Sequence, residues 1–168
     1  MHVAAHAAVT RFSKGLGLDS LRGAGIDLGG RDVNGTVHGL FPHVAWTVLD
    51  IEPHPSVDIV ADVTTWEPEG EYDIVLSTEA IEHIAGWPRI IEAGYAVLKP
   101  GGYMLVTGGS TGRGPHSCTG VVPVPAGEHY GNVDPDDLER VAKDAGFPAI
   151  HVEYNPAPFF DVYLWAQR

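Results

Sequence analysis

Short apolar runs, each closed by glycine, proline or an acid, recur along the first hundred residues. Residues 24–28 carry Ala24, Ile26 and Leu28 and end on the pair Gly29–Gly30. Residues 45–49 (AWTVL) end on Asp50, residues 57–60 on Ala61–Asp62, residues 72–76 (YDIVL) on Ser77–Thr78, and residues 103–107 (YMLVT) on glycines. Near-continuous apolar runs of this length are typical of strands buried on both faces of a parallel sheet. Helical spacing marks other stretches. Residues 3–14 predict a helix that covers a sheet face, and residues 33–41 are weakly helical until Pro42. Ser77 and Thr78 offer caps for a helical turn over 79–85, and Pro88 then restarts a helix along Ile90, Ile91, Gly94, Val97 and Leu98. Lys99-Pro100-Gly101-Gly102 reads as a stop and a tight turn. The clearest helix has Asp134 as its cap, Pro135 at its first position and Asp136 and Asp137 at its positive end. Leu138, Val141, Ala142 and Ala145 form its stripe, and Gly146 ends it. Residues 150–154 and 161–166 are the last two strands, joined by a hairpin at NPAPF.

Strands alternating with helices imply an α/β, Rossmann-like, doubly wound sheet. The whole chain, 1–168, reads as one domain, with residues 1–22 as an N-terminal helical cover. Residues 108–131 are rich in Gly and Pro and without periodicity, and a loop of that length is usually functional or disordered. Ligands of such sheets bind at the carboxyl ends of the strands, where strand order reverses. The polar residues collect at those ends: Asp27 with Gly29, Asp50, Asp62, and Ser77, Thr78 and Glu79.

Composition narrows the partners. A net charge of −12 argues against a nucleic-acid partner, because phosphate contact needs clustered Lys and Arg. No apolar run is long enough to span a membrane. The Ala-rich start lacks a basic leader and reads as helix, so the expected compartment is cytoplasmic. Cys118 is the one cysteine, which excludes an internal disulfide and a cysteine-based metal cluster. Nothing in the sequence fixes the oligomeric state.

Three carboxylates follow three successive strands. Asp27 stands just before a glycine bend, where backbone N–H groups at a helix start would meet a ligand, but its charge would repel phosphate. Asp50 comes 23 residues later, a spacing that suits a grip on ribose hydroxyls. Asp62 is placed to accept a hydrogen bond from an adenine amino group. Three acids without a phosphate-binding lysine suit a cationic nucleoside, and S-adenosyl-L-methionine is one. At this point the chain resembles the class I S-adenosylmethionine-dependent methyltransferases. The resemblance runs from about Ala24 to Arg168 on IDLGG, VLDIEP, ADVTTW, YDIVLSTEAIEHI and LKPGGYMLVTG, in that order.

The resemblance implies a seven-stranded sheet with an antiparallel last strand. It implies that Gly29 and Gly30 lie against the methionine part of the cofactor and that Asp27 contacts its amino group. Asp50, with Ile51 beside it, would hold the ribose, Asp62 and Val63 the adenine, and Ser77 and Thr78 would line the floor near the methyl group. The family's usual D-x-G-x-G-x-G departs here, with Arg31 and Val33 in place of the later glycines. Arg31 would either pair with the cofactor carboxylate or crowd the bend. The implied reaction transfers a methyl group to a small-molecule O or N acceptor, and His116 and Tyr130 in the long loop are the candidates for handling the acceptor's proton. Glu79, Glu82 and His83 fall on one face of the predicted turn and, with His116, form a possible set of ligands for a hard divalent cation. The reading without a metal has Glu79 capping the turn and His83 packing locally, and it is the one expected. Two rivals remain. One is a nicotinamide-dependent oxidoreductase, because Gly23, Gly25 and Gly29 imitate a dinucleotide fingerprint. The other is a non-catalytic relative of the fold that binds a cofactor or partner.

Overall fold

The computed structural model describes residues 2–168. A seven-stranded sheet runs in the order β3-β2-β1-β4-β5-β7-β6. The strands are β1 (Arg22–Leu28), β2 (His43–Asp50), β3 (Ile59–Val60), β4 (Tyr72–Thr78), β5 (Leu98–Gly109), β6 (Ala149–Asn155) and β7 (Asp161–Gln167). Helix α1 (Val3–Gly15) precedes the sheet, α2 (Pro88–Val97) joins β4 to β5, and α3 (Pro135–Ala145) joins β5 to β6. β1 to β5 are parallel, while β7 lies antiparallel between β5 and β6. This is the expected Rossmann-like sheet. Among the described residues, no helix is long and apolar enough to cross a membrane.

Alternation along the central strands gives the sheet two buried faces. Val75, Met104, Val106 and Leu164 meet Ile90, Ile91 and Val97 of α2 and Leu138, Val141 and Ala142 of α3. Ile74, Leu76, Leu105 and Tyr163 meet Ala8, Val9 and Phe12 of α1, together with Val37 and Phe41 from the β1–β2 connection. Each fully buried side chain of this size is worth about 1.5–3 kcal/mol, so the two faces hold the strand ends firmly in place. α3 follows its sequence signals: the Asp134 side chain accepts from the Asp136 N–H at 2.9 Å, and Gly146 closes the helix at φ 107°.

Three predicted elements differ. Residues 33–41 do not form a helix, and only a 3₁₀ turn at His38–Leu40 appears there. Asp32 takes the Gly35 N–H at 2.7 Å, a local bond that competes with helix formation. The turn expected over 79–85 is also reduced, to a 3₁₀ turn at Ile81–His83. Ser77 and Thr78 do not cap it, because both belong to β4. Glu79 takes a left-handed φ of 55° and gives its N–H to the Thr107 carbonyl at 2.9 Å. Lys99-Pro100-Gly101-Gly102 lies inside β5 as an irregularity in the β4–β5 register, so the tight turn is absorbed into the strand.

Candidate active site

Strand order reverses between β1 and β4, and a cleft of about 770 Å³ opens at their carboxyl ends. Asp27, Gly29, Gly30, Arg31, Asp50, Ile51 and Thr78 all line it. The β1 tip is built by close approach. Gly29 turns the chain at φ 77°, and its N–H and that of Gly30 both donate to the Leu49 carbonyl, at 2.8 and 3.2 Å. The bend is therefore locked to β2, and its amides are not the free donors that the glycine pair suggests. At Gly30 an added Cβ would lie 2.6 Å from the Asp27 Cβ, so only glycine leaves room for that carboxylate.

Asp27 is 2% exposed. Its Oδ2 lies 2.8 Å from His38 Nε2, and its Oδ1 is buried without a partner. Asp50 fastens the next loop: Oδ2 accepts from the Arg31 N–H at 3.2 Å and Oδ1 from the Glu52 N–H at 3.0 Å. The Arg31 side chain runs along the cleft, with Nε 3.8 Å from Asp50 Oδ1 and an Nη 3.8 Å from Cys118 Sγ. Ile51 is 61% exposed and gives the lining an apolar patch.

Three expected contacts are not brought to the cleft. Asp62 stands outside the lining, and its Oδ1 is taken by the N–H and hydroxyl of Thr64 at 2.8 and 2.7 Å. Val63 is a core residue. Ser77 is fully buried, with its hydroxyl donating to the Leu28 carbonyl at 2.8 Å, so Thr78 alone of that pair reaches the cleft wall.

The opposite wall comes from the end of β4 and the loop after β5. Arg113, His116, Ser117, Cys118, Glu128 and His129 line the cleft from that loop. Beneath it sits Glu82, fully buried, whose carboxyl oxygens have no well-formed hydrogen bond. Burial, followed by the nearby charge of Glu79, pushes its carboxyl up to about 8, with partial opposition from its own amide and that of Gly109. Burial, then His116, holds the His83 imidazole below its usual range. Glu82, His83 and His116 present ligand atoms within 4.8 Å of one another. Glu79, the fourth candidate ligand, is committed elsewhere, to the Thr107 hydroxyl at 3.0 Å and to His2. Tyr130 is not in the cleft lining. Its ring packs on His116 and His83 at 4.8 and 5.6 Å, and its hydroxyl donates to Asn132 at 2.9 Å. Burial, then Glu82, raises that hydroxyl to about 12.

An ion network stands in the cleft wall. His2, just ahead of α1, has Nε2 3.0 Å from Glu79 and 3.3 Å from the fully buried Asp161, which Arg113 also contacts. Hydrogen bonds to Asp161 and Glu79 push the His2 imidazole up to about 9, overcoming its burial. His2, Arg113 and His38 escape detection in the sequence, because no spacing links residues more than a hundred positions apart, and His38 looked like part of a weak helix.

A family profile described as a methyltransferase domain matches residues 9–152. The chain belongs to that family. The match sets aside the nicotinamide reading, and the committed amides of Gly29 and Gly30 agree, since no pyrophosphate cradle remains there. This methyltransferase domain is 30% identical to the ubiquinone biosynthesis O-methyltransferase of Leptothrix cholodnii over 112 residues, or 59% of the chain and 47% of that protein. It is 35% identical to the same-named protein of a Chelativorans species over 122 residues, or 63% of the chain and 47% of that protein. The chain thus spans about half the length of the curated relatives it matches. A solved structure of Burkholderia thailandensis 1,6-didemethyltoxoflavin-N1-methyltransferase, with 1,6-didemethyltoxoflavin and S-adenosylhomocysteine bound, gives a TM-score of 0.70 at 16% identity, covering 98% of this chain and 78% of that one. At that identity the likeness is one of fold.

Proposed function

We propose that this chain is an S-adenosyl-L-methionine-dependent methyltransferase that acts on a small-molecule O or N acceptor in the cytoplasm. The observation that carries the reading is the Asp27 carboxylate, buried at the wall of the cleft with one oxygen unpartnered, one strand away from Asp50. A buried carboxylate oxygen without a donor is costly, and an ammonium group satisfies it. The residues fit this cofactor. Asp27 would meet the amino group, Asp50 the ribose, Arg31 the carboxylate and exposed Ile51 an apolar ring face. When bound, the cofactor supplies an electrophilic sulfonium methyl for in-line displacement.

The protein's part is alignment and proton handling. His116 Nδ1 lies 3.0 Å from the Gly114 carbonyl, which can only accept, so Nδ1 is the nitrogen that donates here and Nε2 is the one left for the acceptor. His116 would take the acceptor's proton through Nε2. Tyr130 would serve as the surface on which the imidazoles pack. The loop after β5 would exclude water from the acceptor side.

One observation favours a second reading of the acceptor side. Two imidazoles and an unpartnered carboxylate lie within 4.8 Å of one another, a donor set suited to a first-row divalent cation. Glu82, His83 and His116 would hold it, and it would polarise the acceptor oxygen. Titration calorimetry with S-adenosylhomocysteine, followed by an acceptor panel assayed with and without EDTA, tests both readings. Binding, and its loss by tenfold or more in Asp50→Ala with circular dichroism unchanged, supports the cofactor reading. Absence of binding overturns it. EDTA-sensitive turnover selects the metal-assisted form, and EDTA-resistant turnover selects His116 acting alone.

A further inference from the structure

We propose that His38 is a positioning residue for the cofactor's amino-acid end, acting through Asp27; this rests on the cofactor reading above. Gly25 and Asp27 sit two residues apart on β1, so their side-chain positions fall on one face of the strand. Gly25 registers with Trp46 of β2, and an added Cβ there would lie 2.6 Å from the Trp46 ring. The missing side chain lets the indole lie against the strand. His38 then stacks on that indole, with ring centroids 4.5 Å apart and an interplanar angle of 11°. Val37 and Phe41, each 1% exposed, anchor the short turn that carries the imidazole, and Phe41 also packs edge-on against Trp46. The stack ends at Asp27, where His38 Nε2 is 2.8 Å from Oδ2. Strand, indole, imidazole and carboxylate form one continuous strut.

The strut goes beyond neutralising a buried acid. Structural pairing of a 2% exposed carboxylate would be expected to satisfy both oxygens, because each unsatisfied buried acceptor costs about 1–3 kcal/mol. Here Oδ2 is held and Oδ1 is left without a partner. A Cβ at Gly30 would collide with the carboxylate, so glycine there leaves Asp27 its place. His38 does not itself line the cleft, whereas Asp27 does. The imidazole thus fixes which oxygen remains for a cationic group, a role that second partners of functional carboxylates and imidazoles commonly play.

The test compares two ligands that share a nucleoside. S-adenosylhomocysteine carries the ammonium and carboxylate, while 5′-methylthioadenosine lacks both. Kd values for the two are measured on the wild-type chain and on His38→Leu, His38→Gln and Asp27→Asn. His38→Leu is expected to weaken S-adenosylhomocysteine by at least about tenfold and methylthioadenosine by less than about twofold. His38→Gln keeps a distal N–H and is expected to restore S-adenosylhomocysteine to within about threefold of wild type, whereas Asp27→Asn should behave like His38→Leu. Equal weakening of both ligands in His38→Leu would mean a general packing role and would overturn the inference, as would unchanged affinity for both. Should His38→Leu fail to fold, His38→Gln and Asp27→Asn decide: selective loss in Asp27→Asn with rescue in His38→Gln supports it, and any other pattern sinks it. A wild-type chain that binds neither ligand removes the cofactor reading itself, a result distinct from wild-type binding with unselective variants.

Discussion

The two walls of the cleft are built on opposite principles. At the β1–β2 wall the backbone amides are committed, while Asp27 Oδ1 and Arg31 Nε are buried without a hydrogen-bond partner. The amides of Gly29, Gly30, Arg31 and Glu52 are bonded to Leu49 or Asp50, and Asp27 is wedged between Gly30 and His38. At the β4–β5 wall Glu82 is buried with no well-formed hydrogen bond, His83 Nδ1 is buried without a partner, and Glu79 holds a left-handed backbone. Both walls hold orphaned polar atoms, and what separates them is the backbone, locked to β2 at one and left-handed at Glu79 in the other. Backbone strain of that kind concentrates where a ligand or ion has to be met. The contrast teaches that the β1–β2 wall gains its precision from backbone geometry, whereas the β4–β5 wall is maintained against its own stability.

The largest test of the preorganised wall is Gly30→Ala. The new Cβ would fall inside the contact distance of Asp27, a short side chain with no room to retreat. Displacing a buried charged partner costs about 2–5 kcal/mol, which is roughly 30-fold or more in Kd. Titration calorimetry with S-adenosylhomocysteine checks this, and unchanged affinity would dissolve the contrast. On the other wall the sign of the stability change should reverse. Glu82→Met keeps the volume and removes the orphaned carboxyl. The protein should gain about 1–3 kcal/mol, seen as a melting temperature higher by roughly 3–10 °C, with Kd for S-adenosylhomocysteine unchanged. A drop in melting temperature would show that Glu82 is compensated after all.

The two walls also differed in how well the sequence announced them. Strand ends are legible because an apolar run has to stop, and what stops it stands at the tip. Asp27, Gly29, Gly30, Asp50 and Thr78 were found that way, and all line the cleft. Ser77 and Asp62 obey the same rule yet miss the cleft. Period-two alternation decides which side of the sheet a residue faces, and a side chain such as that of Asp62 can satisfy itself on its own loop. The β4–β5 wall was only half legible. Glu82 and His83 stood out as a motif, but their helical turn is a 3₁₀ turn, and the approach of His116 depends on a loop without periodicity. His2 and Asp161 are 159 positions apart in the chain, and no local pattern predicts their meeting.

That meeting ties the cap of α1 to the β4–β5 wall, since His2 reaches Glu79. Its folded pKa of about 9 lies above the ordinary 6.5, so the stability it confers is complete below about pH 6.5 and lost as pH rises through 9. Its share of the decline in unfolding free energy from pH 6 to 10 is on the order of 1–2 kcal/mol, discounted because the ring is a quarter exposed. Glu82, raised to about 8, loses stability in the lower part of the same window. Denaturant unfolding of His2→Ala should therefore show a smaller decline above pH 8, and an unaltered slope there would assign it to another group.

The smallest effect should come from Asp62, and it separates the two explanations for an acid at a strand tip. If every tip acid serves the ligand, Asp62→Ala should weaken S-adenosylhomocysteine as Asp50→Ala does. The geometry argues otherwise. Asp62 is exposed and outside the cleft lining, and its Oδ1 already accepts two bonds from Thr64. Its main-chain carbonyl takes the N–H groups of Thr65 and Trp66 at 3.1 and 2.8 Å and survives the substitution. The change should therefore cost the turn about 0.5–1 kcal/mol of stability and shift the ligand Kd by less than about twofold. A tenfold loss of affinity would mean that the 61–66 turn reorganises to reach the ligand, and that the preorganised wall extends only as far as β2.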